Sequence, residues 1–388
     1  MKFTIIILTV LTLLSSCSVL PEQNSSSHAT KQPTDYSVVQ TDSDEPFRYG
    51  KTFLTEEQAK VYDWLVLCAE NFDVDSETLL PDEISEDSVN VIADYFWGDN
   101  PLHYWVVPYI FTDGEKSVLR IKTPDDMSIS QAKQYSGEIE QAADEFLSDI
   151  SSNAMEAVTQ IHDRIVERVQ YDQTMSSTNN TNLYGALVDK TAVCDGFTSA
   201  FQYLTALAGF DTVFVRGTTP KGIPHSWNMI RIGDEWYAVD TTWDTYFAGN
   251  HILREYLNVT STEMDKEHFW DKSQYPSLPQ TIDMTYNYHV YNGLMVTMET
   301  ITLIPDIFAK QLPNTLSDDK VYFEIKVFGS DNYAYEWTKD YIIENIQYIL
   351  KEVNKKIKAQ EYSINTQTQV EFNFNDTMQI IYVYPEIT

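Results

Sequence analysis

The stretch from His225 to Thr242 constrains this chain more than any other. His225-Ser226-Trp227-Asn228-Met229-Ile230-Arg231-Ile232 alternates like a strand, Gly233-Asp234 is a two-residue turn signal, and Glu235-Trp236-Tyr237-Ala238-Val239-Asp240-Thr241-Thr242 returns. A two-residue turn sets Ile232 opposite Glu235, and every later pair follows from that one. Trp227 then lies opposite Asp240, and His225 opposite Thr242. His225 and Asp240 become diagonal neighbours on one sheet face, with Cα atoms expected roughly 7–8 Å apart, within reach for an imidazole and a carboxylate. A one-residue slip would put them on opposite faces; a turn longer by two would keep them together.

Upstream, Ala192-Val193-Cys194-Asp195-Gly196-Phe197 leads into an apolar helix. Cys194, Phe197, Phe201, Leu204 and Ala208 fall on one stripe at helical spacing, and Gly209 is a C-terminal stop. Cys194 therefore opens the helix, where free backbone N–H groups and the positive end of the macrodipole favour a thiolate. Taken alone, a cysteine on such a stripe reads as core. Combined with a histidine and an aspartate on one sheet face, it reads as nucleophile, base and orienter. In that set Cys194 attacks a carbonyl, His225 moves the proton, and Asp240 holds the imidazole tautomer. The backbone N–H of Cys194 is the expected oxyanion donor; Tyr184 and Asn182 are weaker candidates for a second. Trp227, Trp236 and Trp243, with Tyr184, are expected to wall the cleft, although tryptophans in a hairpin serve equally as core.

The blocks 192–197, Pro224-His225-Ser226-Trp227-Asn228 and Glu235 to Asp244 resemble those of the bacterial transglutaminase-like superfamily. Ile161-His162-Asp163, Tyr171-Asp172 and Leu183 to Val188 are similar to it as well, so the resemblance spans about residues 90 to 270. It implies an α+β fold with a papain-like core, a Cys helix packed on an antiparallel sheet, and catalytic Cys194, His225 and Asp240. It also implies acyl transfer through a thioester: transamidation or deamidation of glutamine, or hydrolysis of a peptide or isopeptide bond. Asp195 and Phe197 stand where Glu and Tyr are more usual in the family. Eukaryotic relatives can need calcium, but nothing in this chain supports carrying that over. A non-catalytic binding or scaffold lipoprotein that kept the fold is the alternative.

The N-terminus carries the other strong signal. Lys2 precedes an apolar run from Phe3 to Leu14, too short to span a bilayer, then Ser15-Ser16-Cys17. Leu14-Ser15-Ser16-Cys17 resembles a bacterial lipobox, which implies lipidation at Cys17 and an extracytoplasmic, membrane-anchored protein. Residues 18–50 are rich in Ser, Thr, Gln, Pro and Asp and read as a tether. The expected organisation is signal 1–17, tether 18–50, helical and hairpin scaffold 51–150, catalytic domain 151–278 and an α+β C-terminal domain 279–388.

Composition trims the options. The 388 residues are 43% hydrophobic, which excludes a mainly disordered chain. With 26 Lys+Arg against 58 Asp+Glu the net charge is −32, which argues against nucleic acid and an electrostatic membrane patch. Protein or peptide substrates, of the cell envelope among others, are the expected partners; oligomeric state is open. Three cysteines are too few for a disulfide framework, and no cofactor or metal site is expected. Asp73 to Glu77 lacks the glycine and final acid of a calcium loop. Cys68 is expected to be a buried thiol, and His162 a packed or surface histidine.

Overall fold

The computed structural model describes residues 47–113, 116–246, 251–275, 278–315, 321–329, 332–357 and 363–387. The signal segment with Cys17, the tether up to residue 46, and Gly114 of the first hairpin turn lie outside the described residues. The described chain forms two compact units, one up to Thr281 and one from Ile282 onward.

The first unit opens with α1 (Glu56–Asn71), started by a Thr55–Gln58 capping box in which side chain and backbone satisfy each other. β1 (Glu77–Leu79), α2 (Glu86–Asp99), β2 (Val107–Asp113) and β3 (Lys116–Lys122) follow, with the strands ordered β1-β3-β2. Tyr62, Leu65, Phe96, Trp105 and Leu119 fill the core between the helices and this sheet. Cys68 is buried there, and burial together with Asp73 pushes its thiol up to about 11. A second capping box, Ser128–Gln131, starts α3 (Ile129–Leu147), and Asn153 caps α4 (Ala154–Arg168). Residues on both sides of 150 belong to this unit, and Arg164 of α4 donates back to the Phe146 carbonyl of α3 at 2.6 Å.

The remaining elements of this unit carry Cys194, His225 and Asp240. β4 (Gln170–Tyr171) and β5 (Thr191–Ala192) form a short parallel pair flanking α5 (Leu183–Leu187). Between β4 and α5 the chain wraps around Asp172, whose carboxylate accepts from the Thr174 and Ser177 N–H groups and from Asn180. α6 (Cys194–Leu207) buries Phe197, Phe201 and Leu204 and lies against the antiparallel sheet β6 (Thr212–Thr218), β7 (Pro224–Ile232) and β8 (Glu235–Val239). The β7–β8 register runs from Ile232↔Glu235 to Asn228↔Val239, as the two-residue turn requires, and stops there: the expected Trp227–Asp240 and His225–Thr242 pairs do not form, because the chain turns into the helix Thr241–Tyr246. α7 (Thr241–Tyr246) and α8 (Ser261–Met264) follow. This is an α+β fold with the cysteine helix packed on an antiparallel sheet.

The second unit contains α9 (Tyr288–Tyr291), β9 (Met295–Val296), α10 (Ile304–Thr315), β10 (Phe323–Val327), α11 (Asn332–Lys356), β11 (Glu371–Asn375) and β12 (Ile380–Tyr384). Its sheet order is β11-β12-β10-β9, with β9 parallel to β10. Ile342, Ile346, Leu350 and Val353 recur at helical spacing on one side of α11 and pack onto a core with stacked Phe308 and Phe323.

Candidate active site

The site forms where α6 begins and β8 ends. Cys194 is the first residue of α6 and is partly exposed, and its backbone N–H has no partner among the described residues. The next residue fixes its setting: Asp195 Oδ1 accepts from the Ser226 hydroxyl at 2.7 Å, and Thr198 donates to the same hydroxyl oxygen at 3.1 Å. Asn228 adds a bond to the Thr198 carbonyl at 3.2 Å. These three bonds key the first turn of α6 into β7, so the neighbours Cys194 and His225 are brought together by the bonding of Asp195 to Ser226.

His225 Nε2 lies 2.7 Å from Asp240 Oδ2, both side chains almost wholly buried. Asp240 sits just past β8, where its Oδ1 accepts from the N–H groups of Thr242 and Trp243 at 2.9 and 3.1 Å, in the first turn of α7. Burial opposes charge on His225, yet the Asp240 carboxylate, followed by the Cys194 thiol, raises it to about 10. Burial likewise opposes charge on Asp240, yet His225 and His268 hold its carboxyl well below the usual range.

His268 was not anticipated from the sequence. Its Nε2 is 2.9 Å from the same Asp240 Oδ2, and the residue is 0% exposed. It arrives on a segment stitched to β6 by paired Thr218–Phe269 backbone bonds of 2.8 and 2.9 Å. No periodicity ties it to the hairpin. The only hint in the sequence is a histidine followed by two aromatic residues, His268-Phe269-Trp270. His225, Asp240 and His268 have the composition of a metal site, with ligand atoms all within 4.8 Å of one another. Yet both ring nitrogens stand at hydrogen-bond distance from one oxygen, so each presents a proton to it and no lone pair. That geometry belongs to a carboxylate clamp.

The aromatic residues divide. Trp243 is half-buried, its ring centroid 5.5 Å from that of His225, and flanks the site. Trp227, expected in the cleft wall, is 1% exposed, with its centroid 6.2 Å from that of His225; it is the floor, because β7 is buried on both faces here. Trp236, expected as a wall too, pairs with Arg231 near the hairpin turn and packs on Phe47, away from Asp240. Tyr184 stacks on Tyr135 at 4.0 Å and donates its hydroxyl to Glu138 at 2.6 Å, so that proton is committed elsewhere than to an oxyanion. Asn182 uses its Oδ1 to cap α5. His162 is a packed histidine, bonded through Nε2 to Asp244 at 2.9 Å and through Nδ1 to Asp163 at 3.0 Å. Arg254 grips Asp163 with two bonds, which balances this buried network joining α4 to α7.

Residues 140–241, which hold Cys194, His225 and Asp240, match the family model described as the transglutaminase-like superfamily. This is a transglutaminase-like domain. Among solved structures, one described as a TGase shares 12% identity over 46% of this chain and 52% of its own, with a TM-score of 0.28. A candidate cysteine protease from Cytophaga hutchinsonii shares 14% identity over 35% of this chain and 62% of its own, with a TM-score of 0.24. The chain thus spans less than two thirds of the length of either. No curated protein matches it. The transglutaminase-like match ends one residue after Asp240, so His268 lies outside it.

Proposed function

We propose that this transglutaminase-like protein is a lipid-anchored, extracytoplasmic bacterial enzyme that cleaves glutamine side-chain or peptide amides through a thioester at Cys194. The observation that carries this reading is the 2.7 Å pairing of His225 with Asp240 beside a cysteine at a helix start. A histidine raised to about 10 is an imidazolium at neutral pH, the counter-ion that a thiolate nucleophile needs. The thiolate forms a C–S bond to the amide carbon, and the carbonyl electrons move onto oxygen towards the backbone N–H of Cys194. Collapse of this intermediate expels the amine or ammonia, which takes a proton from His225. A second amine, or water, then attacks the thioester and gives a proton back to His225, and Cys194 is released.

What divides transferase from hydrolase is the second nucleophile. Bulk water is about 55 M, so an amine wins only when a site orients it, and oriented reactants reach effective molarities of roughly 10⁵ M. Trp243 beside His225 and the net charge of −32 favour a shielded site and cationic, lysine-bearing acceptors. The test is incubation with a glutamine-containing donor and a labelled primary amine. Incorporation lost in Cys194→Ala, and reduced by roughly 10⁴-fold in Asp240→Asn, is the expected result. Ammonia release without incorporation identifies a deamidase, and backbone cleavage a protease. The absence of any product across a broad donor library leaves a binding lipoprotein as the better reading.

A further inference from the structure

We propose that His268 is a positioning residue for the His225–Asp240 pair, donating its Nε2–H to the carboxylate oxygen that His225 also uses. The proposal rests on the thioester reading of the site. Four donors surround Asp240: Thr242 and Trp243 on Oδ1, His225 and His268 on Oδ2. A carboxylate offers about four lone-pair sites, so the set is complete. Completeness has two consequences. The carboxylate cannot turn about its Cβ–Cγ bond without breaking two bonds to each oxygen, so Oδ2 stays aimed at His225. Its remaining basicity is also spent on fixed donors, which keeps the shared proton on the imidazole during turnover.

The surroundings of His268 suit a donor with one fixed tautomer. Its ring lies among Trp243, Trp227 and Tyr256, with centroids 4.3, 4.9 and 5.5 Å away. Its Nδ1 is buried and has no partner among the described residues. Nε2 lies 2.9 Å from a carboxylate oxygen, which attracts an N–H and repels a lone pair, so a proton belongs on Nε2, facing Asp240. The backbone bonds between Thr218 and Phe269 set the ring's height over the sheet.

Two substitutions in the full-length protein separate positioning from packing. His268→Phe keeps an aromatic ring and loses the donor. His268→Gln loses the ring and keeps an amide nitrogen at a reach close to that of Nε2. The rate of iodoacetamide modification at Cys194 is followed by peptide mapping, and the melting temperature is measured beside it. The expected result is a rate about tenfold lower in His268→Phe, the scale of one bond to a charged group, and within about threefold of wild type in His268→Gln. Melting temperatures are expected in the other order, with Phe at least as stable as Gln. A wild-type rate in His268→Phe, or rates that simply follow melting temperature, would overturn the positioning role and leave the thioester reading standing. A wild-type Cys194 that reacts no faster than buried Cys68 would overturn both.

Discussion

His225 shows how one side chain carries opposing terms. Burial disfavours its charge, and the neighbouring Asp240 and Cys194 more than offset that, so its folded-state value rises from an ordinary 6.5 to about 10. The sign of the linkage follows. Folding binds a proton at His225, so the stabilisation is fully present below about pH 6.5 and is lost as pH rises towards 10. The stability gap between wild type and His225→Gln, measured by urea unfolding, should therefore be widest at acidic pH and close on the alkaline side. A gap that widened as pH rose through that window would contradict the imidazolium assignment.

At the scale of elements, the site depends on a close approach between β6 and the segment carrying His268. A Cβ built on Gly217 would stand 2.4 Å from the Phe269 carbonyl and 2.5 Å from the Trp227 ring, and neither backbone nor a buried indole can yield cheaply. Gly217→Ala is expected to destabilise the protein by about 3 kcal/mol, the upper range for an overpacked core. It should also slow Cys194 modification, because the segment that moves carries His268. Urea unfolding and the alkylation assay check both parts; an alanine variant of wild-type stability would show that the approach is looser than described. The Asp195–Ser226 bond works at the same scale, since it registers helix against strand and so sets Cys194 beside His225.

For the whole molecule, the question is where the domain works. No helix among the described residues is long and apolar enough to cross a membrane. The proposed membrane attachment rests on the lipobox-like Leu14-Ser15-Ser16-Cys17 alone. We expect the native protein to partition into detergent, its mature N-terminus to be Cys17, and Cys17→Ala to be released or mislocalised. Mass spectrometry of the N-terminal peptide and phase partitioning measure this, and a mature N-terminus elsewhere would refute the anchor. The net charge of −32 over the whole chain favours self-repulsion over self-association.

Local rules made much of this protein legible from its sequence. The start of α6 at Cys194 and its stripe of Phe197, Phe201 and Leu204 depend on residues a few positions apart, where spacing translates directly into geometry. The same holds for His225 and Asp240. A two-residue turn fixes the ladder as far as Asn228 and Val239, and its alternation turns His225 and Asp240, fifteen positions apart, towards one face although they are not themselves paired. Tertiary structure alone decided the rest. His268 lies 28 positions beyond Asp240, past loops whose path no periodicity describes, and only the backbone pairing of Phe269 with Thr218 delivers it to the carboxylate. The tryptophans were ambiguous for a related reason: alternation says which face a side chain takes but not what covers that face. Trp227 became floor because α6 and the 268–270 segment cover β7, whereas Trp243, on α7, stays half-buried beside His225, and that difference is a property of the packed chain.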